Sequence, residues 1–326
     1  MAQFENLVFE GGGIKGIAYA GAISVLEEKG IMPGINRVAG TSAGAITATF
    51  LALGASGAQI EQILHDTQFT TFEDASLGLV RNTWRLLHRY GWYKGDAFSA
   101  WAKKQIAMLG GDGDITFAEL ASRAKEQPGK YRDLYMIGTD LSAQHPTVYS
   151  PEHTPGMPIR QALRISMSLP LVFASITEDH DVRVDGGLSW NYPIDLFDHP
   201  RFLGNIDGKT DGDNYNRATL GFRVDSRTEI QAERSSFNLP RAEVNNLVDY
   251  LKALVGFAID MANHAHLRKA DWHRTVFIDS LGVSTTDFGI SEKRQLALIE
   301  SGSECTEQYF QWFDNASGDA TPLNRN

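Results

Sequence analysis

Residues 35–49 read INRVAGTSAGAITAT, and at their centre Gly40-Thr41-Ser42-Ala43-Gly44 sets one serine between two glycines, directly after a short apolar run. Arg37-Val38-Ala39 closes a strand, and the small, apolar residues from Ala43 to Leu53 suit a helix packed tightly against a sheet. Where a strand turns at once into a helix, only glycines two residues to either side escape a clash, and the serine oxygen is left exposed at the tip. The same five residues also suit an ordinary turn, because serine beside glycine is a common turn former. The rest of the chain has to decide between a nucleophile and a turn.

Upstream, Leu7-Val8-Phe9 reads as a buried strand, followed by a glycine turn and a helix from about Ile17 to Lys29 that Gly30 ends. Strand, turn, helix, strand, elbow and helix then follow within fifty residues, which predicts parallel strands with crossover helices in an α/β layered fold. The turn, Gly11-Gly12-Gly13-Ile14-Lys15-Gly16, formally matches the dinucleotide fingerprint G-x-G-x-x-G. That fold wants an acid at the end of the second strand, and Asn36-Arg37-Val38-Ala39-Gly40 offers none. A P-loop also fails, because Ile17 and Ala18 stand where Lys and Ser/Thr would close the motif. What remains is either a tight packing turn or a glycine loop at a helix N-terminus, whose bare N–H groups suit a negative charge such as the oxyanion of an acyl intermediate.

The third piece is Val182-Arg183-Val184-Asp185-Gly186-Gly187, a strand ending in an aspartate that two glycines leave free to project. GGGxKG, then GTSAG, then DGG in that order resembles the patatin-like phospholipases. The likeness runs through LVFEGGGIKGIAYAGAISVLEEKG, RISMSLPLVFAS at 164–175, and Asn191 and Pro193, covering about the first 200 residues and more loosely TDFGISEKRQLALIESG near the end. Lys15 stands where the family often has arginine and keeps its positive charge.

The resemblance implies a three-layer α/β fold with a mainly parallel central sheet flanked by helices. It also implies a lipid acyl hydrolase of phospholipase A or lysophospholipase type, working without a cofactor or metal through a serine–aspartate dyad. Ser42 would attack the acyl carbonyl, and Asp185 would take its proton and later activate water. The loop of Gly11, Gly12, Gly13, Lys15 and Gly16 would form the oxyanion hole, with Gly40 and Gly44 shaping the elbow. A side chain at Gly12 or Gly13 is expected to clash with or misaim the donors. A carboxylate is a weak base for a hydroxyl, so Asp185 needs a poorly solvated site. Asp140, also at a strand end, is the substitute base.

The bulk numbers agree with such an enzyme. A chain of 326 residues with 42% hydrophobic and 21% charged residues is ordinary globular protein, and its net charge of -10 argues against a general nucleic-acid binder. A single domain over residues 1–314 with a disordered tail over 315–326 is expected. Cys305 is the one cysteine, which excludes an internal disulfide and favours a cytoplasmic or peripheral-membrane setting. The first residues lack the basic and apolar regions of a cleavable signal; non-classical secretion stays open.

Other readings compete. His199, His264, His266 and His273 follow Asp185 and satisfy the chain order of a Ser-Asp-His triad, although His264 and His266 point about 200° apart on the helix predicted over Leu239 to Lys269 and cannot share a metal. A non-catalytic binding protein on the same fold is a further alternative. Met108 to Glu119 partly matches an EF-hand loop but has Met108 and Gly110 at the first two ligand positions, so a capping box at Thr116–Glu119 is the better reading. Tyr131 to Leu141 reads as a strand. Leu77 to Tyr93 reads as a basic amphipathic helix in which Arg81, Arg85 and Arg89 form a stripe beside Trp84, suited either to an anionic lipid surface or to covering the core with its arginines in water.

Overall fold

The computed structural model describes residues 4–74, 90–203, 215–235 and 244–314. Arg81, Trp84, Arg85, Arg89 and the tail from Asn315 lie outside the described residues.

The strands are β1 (Asn6–Phe9), β2 (Arg37–Thr41), β3 (Gly91–Tyr93), β4 (Asp133–Asp140), β5 (His145–Tyr149), β6 (Leu171–Phe173), β7 (Ile176–Glu178), β8 (Asp181–Asp185), β9 (Thr219–Asp225) and β10 (Thr275–Asp279). The helices are α1 (Tyr19–Glu28), α2 (Ala43–Ala52), α3 (Gly57–His65), α4 (Asp96–Gly110), α5 (Phe117–Glu126), α6 (Ile159–Ser166), α7 (Gly187–Trp190), α8 (Arg227–Ser235), α9 (Leu247–His266) and α10 (Glu292–Asp314).

Five strands form a parallel core in the order β10-β9-β1-β2-β4, and β5, β8 and β7 extend it antiparallel. The register sets Leu7 beside Val38 and Leu134, and Val8 beside Ala39 and Tyr135. The first row enters one apolar cluster with residues of α1, α2 and α10; the second enters another with Tyr192, Ile194, Phe197 and Phe202. Alternate residues of each strand therefore supply two cores, one on each face, which explains the continuous apolar runs of these strands. The result is the expected mixed α/β architecture, a mostly parallel sheet between helical layers.

The edge of β4 then makes the decisive juxtaposition. β2 pairs with Asp133 to Ile137, while β5 pairs with Met136 to Asp140 and β8 with Gly138 to Asp140. Since β5 overlaps both of the others, β2 and β8 must share the opposite edge of β4. They approach end to end, Thr41 opposite Ile137 and Asp185 opposite Gly138. The chain ends of a parallel and an antiparallel strand thus meet at one step of a third.

Two expected elements are corrected. The helix read over Leu239 to Lys269 starts only at Leu247, where the Asn246 side chain accepts from the Asp249 N–H at 3.0 Å, and it stops at His266. Gly91–Tyr93, at the end of the basic stretch, is a strand paired with β6 rather than helix; Tyr90 has φ 59°, and a Cβ on Gly91 would lie 2.1 Å from the Phe173 backbone. The capping box is present, with Glu119 N–H donating to Thr116 Oγ1 at 3.3 Å and Thr116 N–H to Glu119 Oε2 at 2.8 Å. Asp112 and Asp114 are engaged in a turn and in ion pairs with Lys103 and Arg160.

Candidate active site

Ser42 sits between β2 and α2 with φ 52° and ψ -123°, a conformation that a side chain adopts only under constraint, at a cost of about 1–3 kcal/mol. The flanking glycines make it possible. A Cβ on Gly40 would lie 2.3 Å from the Gly44 backbone, and one on Gly44 would lie 2.3 Å from the Phe9 carbonyl, so the turn has no space for larger residues at either place. The Ser42 N–H, pushed out of any ladder by this turn, donates to Ser166 Oγ at 2.9 Å, and Ser166 in turn donates to the Ile137 carbonyl at 2.6 Å. The Ser42 hydroxyl leans on Met167 Sδ at 3.6 Å.

Asp185 ends β8 and is 1% exposed. Its N–H donates to the Ser168 carbonyl at 3.0 Å, its carbonyl accepts from Thr139 Oγ1 at 2.8 Å, and its Oδ1 accepts from the Gly187 N–H at 2.8 Å. Oδ2 is buried and meets no hydrogen-bond donor among the described residues. Burial pushes the carboxyl up to about 7, against the opposing pull of the Gly187 N–H and the nearby Ser42 hydroxyl. A buried carboxylate with one empty oxygen beside a strained serine is equipped to take a proton from it.

The glycine loop closes the third side. A Cβ on Gly11 would stand 3.2 Å from the Ser42 Cβ, so the loop lies against the elbow. Its amides divide sharply. Gly11 N–H donates to the Asn191 carbonyl at 3.1 Å, Ile14 N–H to the Thr285 carbonyl at 3.1 Å, and Lys15 N–H to the Gly12 carbonyl at 3.2 Å. Gly12 and Gly13, with φ of -157° and 55°, donate to no described group. Two free N–H groups at a helix start can hold a developing oxyanion. Lys15 runs along Gly12, its Cε 3.6 Å from where a Cβ there would be, and Gly16 packs on Ala43.

Several residues of this arrangement received no role from the sequence. Ser166 holds the serine and the Ser168 carbonyl holds the aspartate, so the end of α6 and the turn that follows it anchor both. The buried Arg164, whose guanidinium donates to Ser168 Oγ at 2.5 Å and to the Lys94 and Ala174 carbonyls at 2.6 and 3.0 Å, fixes that turn. The stretch RISMSLP at 164–170 held this information only as a pattern. Asn191 grips the loop from the other side: its Nδ2 donates to the Gly11 carbonyl at 3.2 Å and to Glu10 Oε1 at 3.3 Å. Asn191→Ala is expected to cost about 1–3 kcal/mol in denaturant unfolding, because buried acceptors lose their donor, and to lower kcat more than it changes KM. A loop held equally well without Asn191 would show neither effect.

The competing residues lie elsewhere. Asp140 Oδ1 accepts from the Ala143 N–H at 2.9 Å and closes a turn. His199 Nδ1 accepts from the Arg201 N–H at 3.3 Å, and His273 packs against Trp312 with ring centroids 5.5 Å apart and planes tilted by 40°. The side chains of His264 and His266 lie outside the described residues. Among the described residues no histidine ring bonds to Ser42 or Asp185.

The sequence pattern of the Patatin family, described as patatin-like phospholipase, matches residues 7–198. The YqhO protein of Bacillus subtilis is 32% identical over 320 residues, spanning 94% of this chain and 98% of that protein. A protein of Invertebrate iridescent virus 6 named a probable lipid hydrolase, 463L, is 25% identical over 199 residues, 59% of this chain and 63% of its own. Among solved structures, VipD from Legionella pneumophila shares the fold with a TM-score of 0.58 at 16% identity, covering 95% of this chain and 67% of that one. ExoU of Pseudomonas aeruginosa, solved in complex with SpcU, matches with a TM-score of 0.51 at 20% identity, covering 95% and 51%.

Proposed function

The chain belongs to the patatin-like phospholipase family, and from that premise we propose that it hydrolyses carboxylic esters of lipids, of the phospholipase A or lysophospholipase type, through Ser42 and Asp185. The observation that carries this reading is the empty, buried Oδ2 of Asp185 at the strand junction where Ser42 also ends up.

The chemistry follows from the geometry. Ser42 Oγ turns from Met167 toward Asp185, gives its proton to the carboxylate and forms a bond to the acyl carbon. The carbonyl electrons move onto oxygen, which the Gly12 and Gly13 N–H groups receive. The intermediate collapses, the ester C–O bond breaks, and the departing alkoxide takes the proton from Asp185. Water then enters, Asp185 accepts its proton, and hydroxide attacks the acyl-enzyme; the second collapse returns the proton to Ser42 and releases the fatty acid. A carboxylate is a weak base for a hydroxyl, and an amide carbonyl is less electrophilic than an ester carbonyl and has a poorer leaving group, so esters are favoured over amides. The family implies a lipid substrate, and among the described residues no helix is long and apolar enough to cross a membrane.

The raised carboxyl sets a pH dependence. Only ionised Asp185 is a base, so kcat/KM on a soluble p-nitrophenyl ester is expected to fall about tenfold per pH unit below about 7 and to level off above it. A profile flat from pH 5 to 8 would remove Asp185 from this role. Labelling by a fluorophosphonate probe tests the serine directly, and its absence in a folded Ser42→Ala chain completes the assignment.

A further inference from the structure

Helix α9 carries an apolar stripe that no described residue covers. Leu247, Tyr250, Leu254, Phe257 and Met261 are 70, 55, 51, 62 and 51% exposed. Their spacing of three, four, three and four residues keeps them within about 80° of the helix surface, at 100° per residue. A second face, with Ala262 buried in it, turns toward the protein, where α9 packs on α7, the short helix beginning two residues after Asp185. A third face holds Asp249 and Asp260.

We propose that this stripe is a lipid-docking face, on which α9 lies flat against a zwitterionic or uncharged lipid layer beside the active site. The proposal rests on the reading of the site as a lipid acyl hydrolase. A second copy of the chain is the competing occupant, and three observations count against it. The stripe exposes roughly 600 Å² of side chain, judged from aromatic and aliphatic side-chain areas, short of the ~800 Å² per partner of a stable interface. Its spacing lasts two heptads where a coiled coil needs about three or four. Tyr250 and Phe257 hold positions where a coiled-coil seam favours leucine. Aromatic residues suit a lipid boundary, with the Tyr250 hydroxyl at the headgroups. Asp249 and Asp260 outnumber the one lysine of this helix, Lys252, so an anionic surface gains nothing from its net charge and docking rests on the apolar stripe.

The test uses the full chain and a double variant, Leu254→Asp with Phe257→Asp, neither residue belonging to the catalytic machinery. Flotation with phosphatidylcholine vesicles, turnover of a soluble p-nitrophenyl ester and sedimentation velocity are measured together. Vesicle affinity is expected to drop by about tenfold or more in the variant, since two buried apolar side chains are lost. Soluble-ester turnover should stay within about twofold, both proteins should sediment as monomers, and flotation should be indifferent to salt. Equal flotation of both proteins, a wild-type dimer that the variant breaks, or flotation confined to anionic vesicles and lost in salt overturns the proposal. The Ser42→Ala chain should float as the wild type does. Stripe-dependent flotation without ester hydrolysis by the wild type would discard the catalytic reading and leave the docking face standing.

Discussion

Asp185→Asn is expected to lower ester hydrolysis by about 10³-fold while making the protein more stable at pH 8. The first effect is the loss of the base, which for a positioned general base is worth about 10² to 10⁴; Ser42→Ala, which removes the covalent route, should leave less still. The second follows from burial. The carboxyl rises from 3.8 to about 7 in the folded chain, so the folded state binds its proton more tightly than the unfolded state. Its contribution to stability is complete below about pH 4 and is lost as pH rises through about 7. A shift of about three units at about 1.4 kcal/mol each caps the loss near 4 kcal/mol. Asparagine keeps the Oδ1 acceptor for the Gly187 N–H, carries no charge at any pH, and sets an amide where Oδ2 has no donor. The difference in Tm between variant and wild type should therefore widen from pH 5 to pH 8, in favour of the variant. Retained activity, or a Tm difference independent of pH, would show that Asp185 is a structural carboxylate.

Gly13→Ala should cost about 10² to 10³ in kcat, the usual loss of an oxyanion donor, whereas Gly12→Ala should stay within about tenfold on a soluble ester. At Gly13 the backbone has φ 55°, and a Cβ would stand 2.2 Å from the Thr285 carbonyl, which already accepts the Ile14 N–H at 3.1 Å. Adding a methyl must move the loop or Thr285 and so re-aim the free amides, on top of about 1–2 kcal/mol for the left-handed backbone. At Gly12 φ is -157° and ψ 11°, outside the left-handed region, and the nearest atom to a Cβ is Lys15 Cε at 3.6 Å, an ordinary contact. The expectation from sequence was that a side chain at either glycine would clash with or misaim the donors; at Gly12 a Cβ would meet only Lys15, in ordinary van der Waals contact. Kinetics on both variants, with thermal melts to confirm folding, separate the two positions. Unchanged kinetics in a folded Gly13→Ala chain would mean that the loop only turns the chain.

Much of this protein was legible from residues alone, and for local reasons. GGGIKG, GTSAG and DGG each specify a backbone: glycines mark the places where chain approaches chain or φ turns positive, and the apolar runs around them mark strands buried on both faces. Residue order along the chain therefore yielded the mixed α/β fold and each candidate residue separately. The start of α9 was placed too early because apolar periodicity continues across Asn245-Asn246, and the cap that ends it there depends on one side-chain hydrogen bond. What the tertiary structure alone decided is adjacency. That Ser42 and Asp185, 143 positions apart, end at neighbouring steps of β4 depends on β2 and β8 sharing one edge of that strand, which pairing across the sheet determines and no local pattern encodes. The same holds for Ser166, Ser168 and Asn191, whose roles lie in contacts across more than a hundred residues for the first and the last. Which loop amides stay free, and how dry Asp185 becomes, also follow from packing. Burial and hydrogen-bond satisfaction are properties of the whole assembled chain, because the groups that exclude water from one residue come from everywhere else in the sequence.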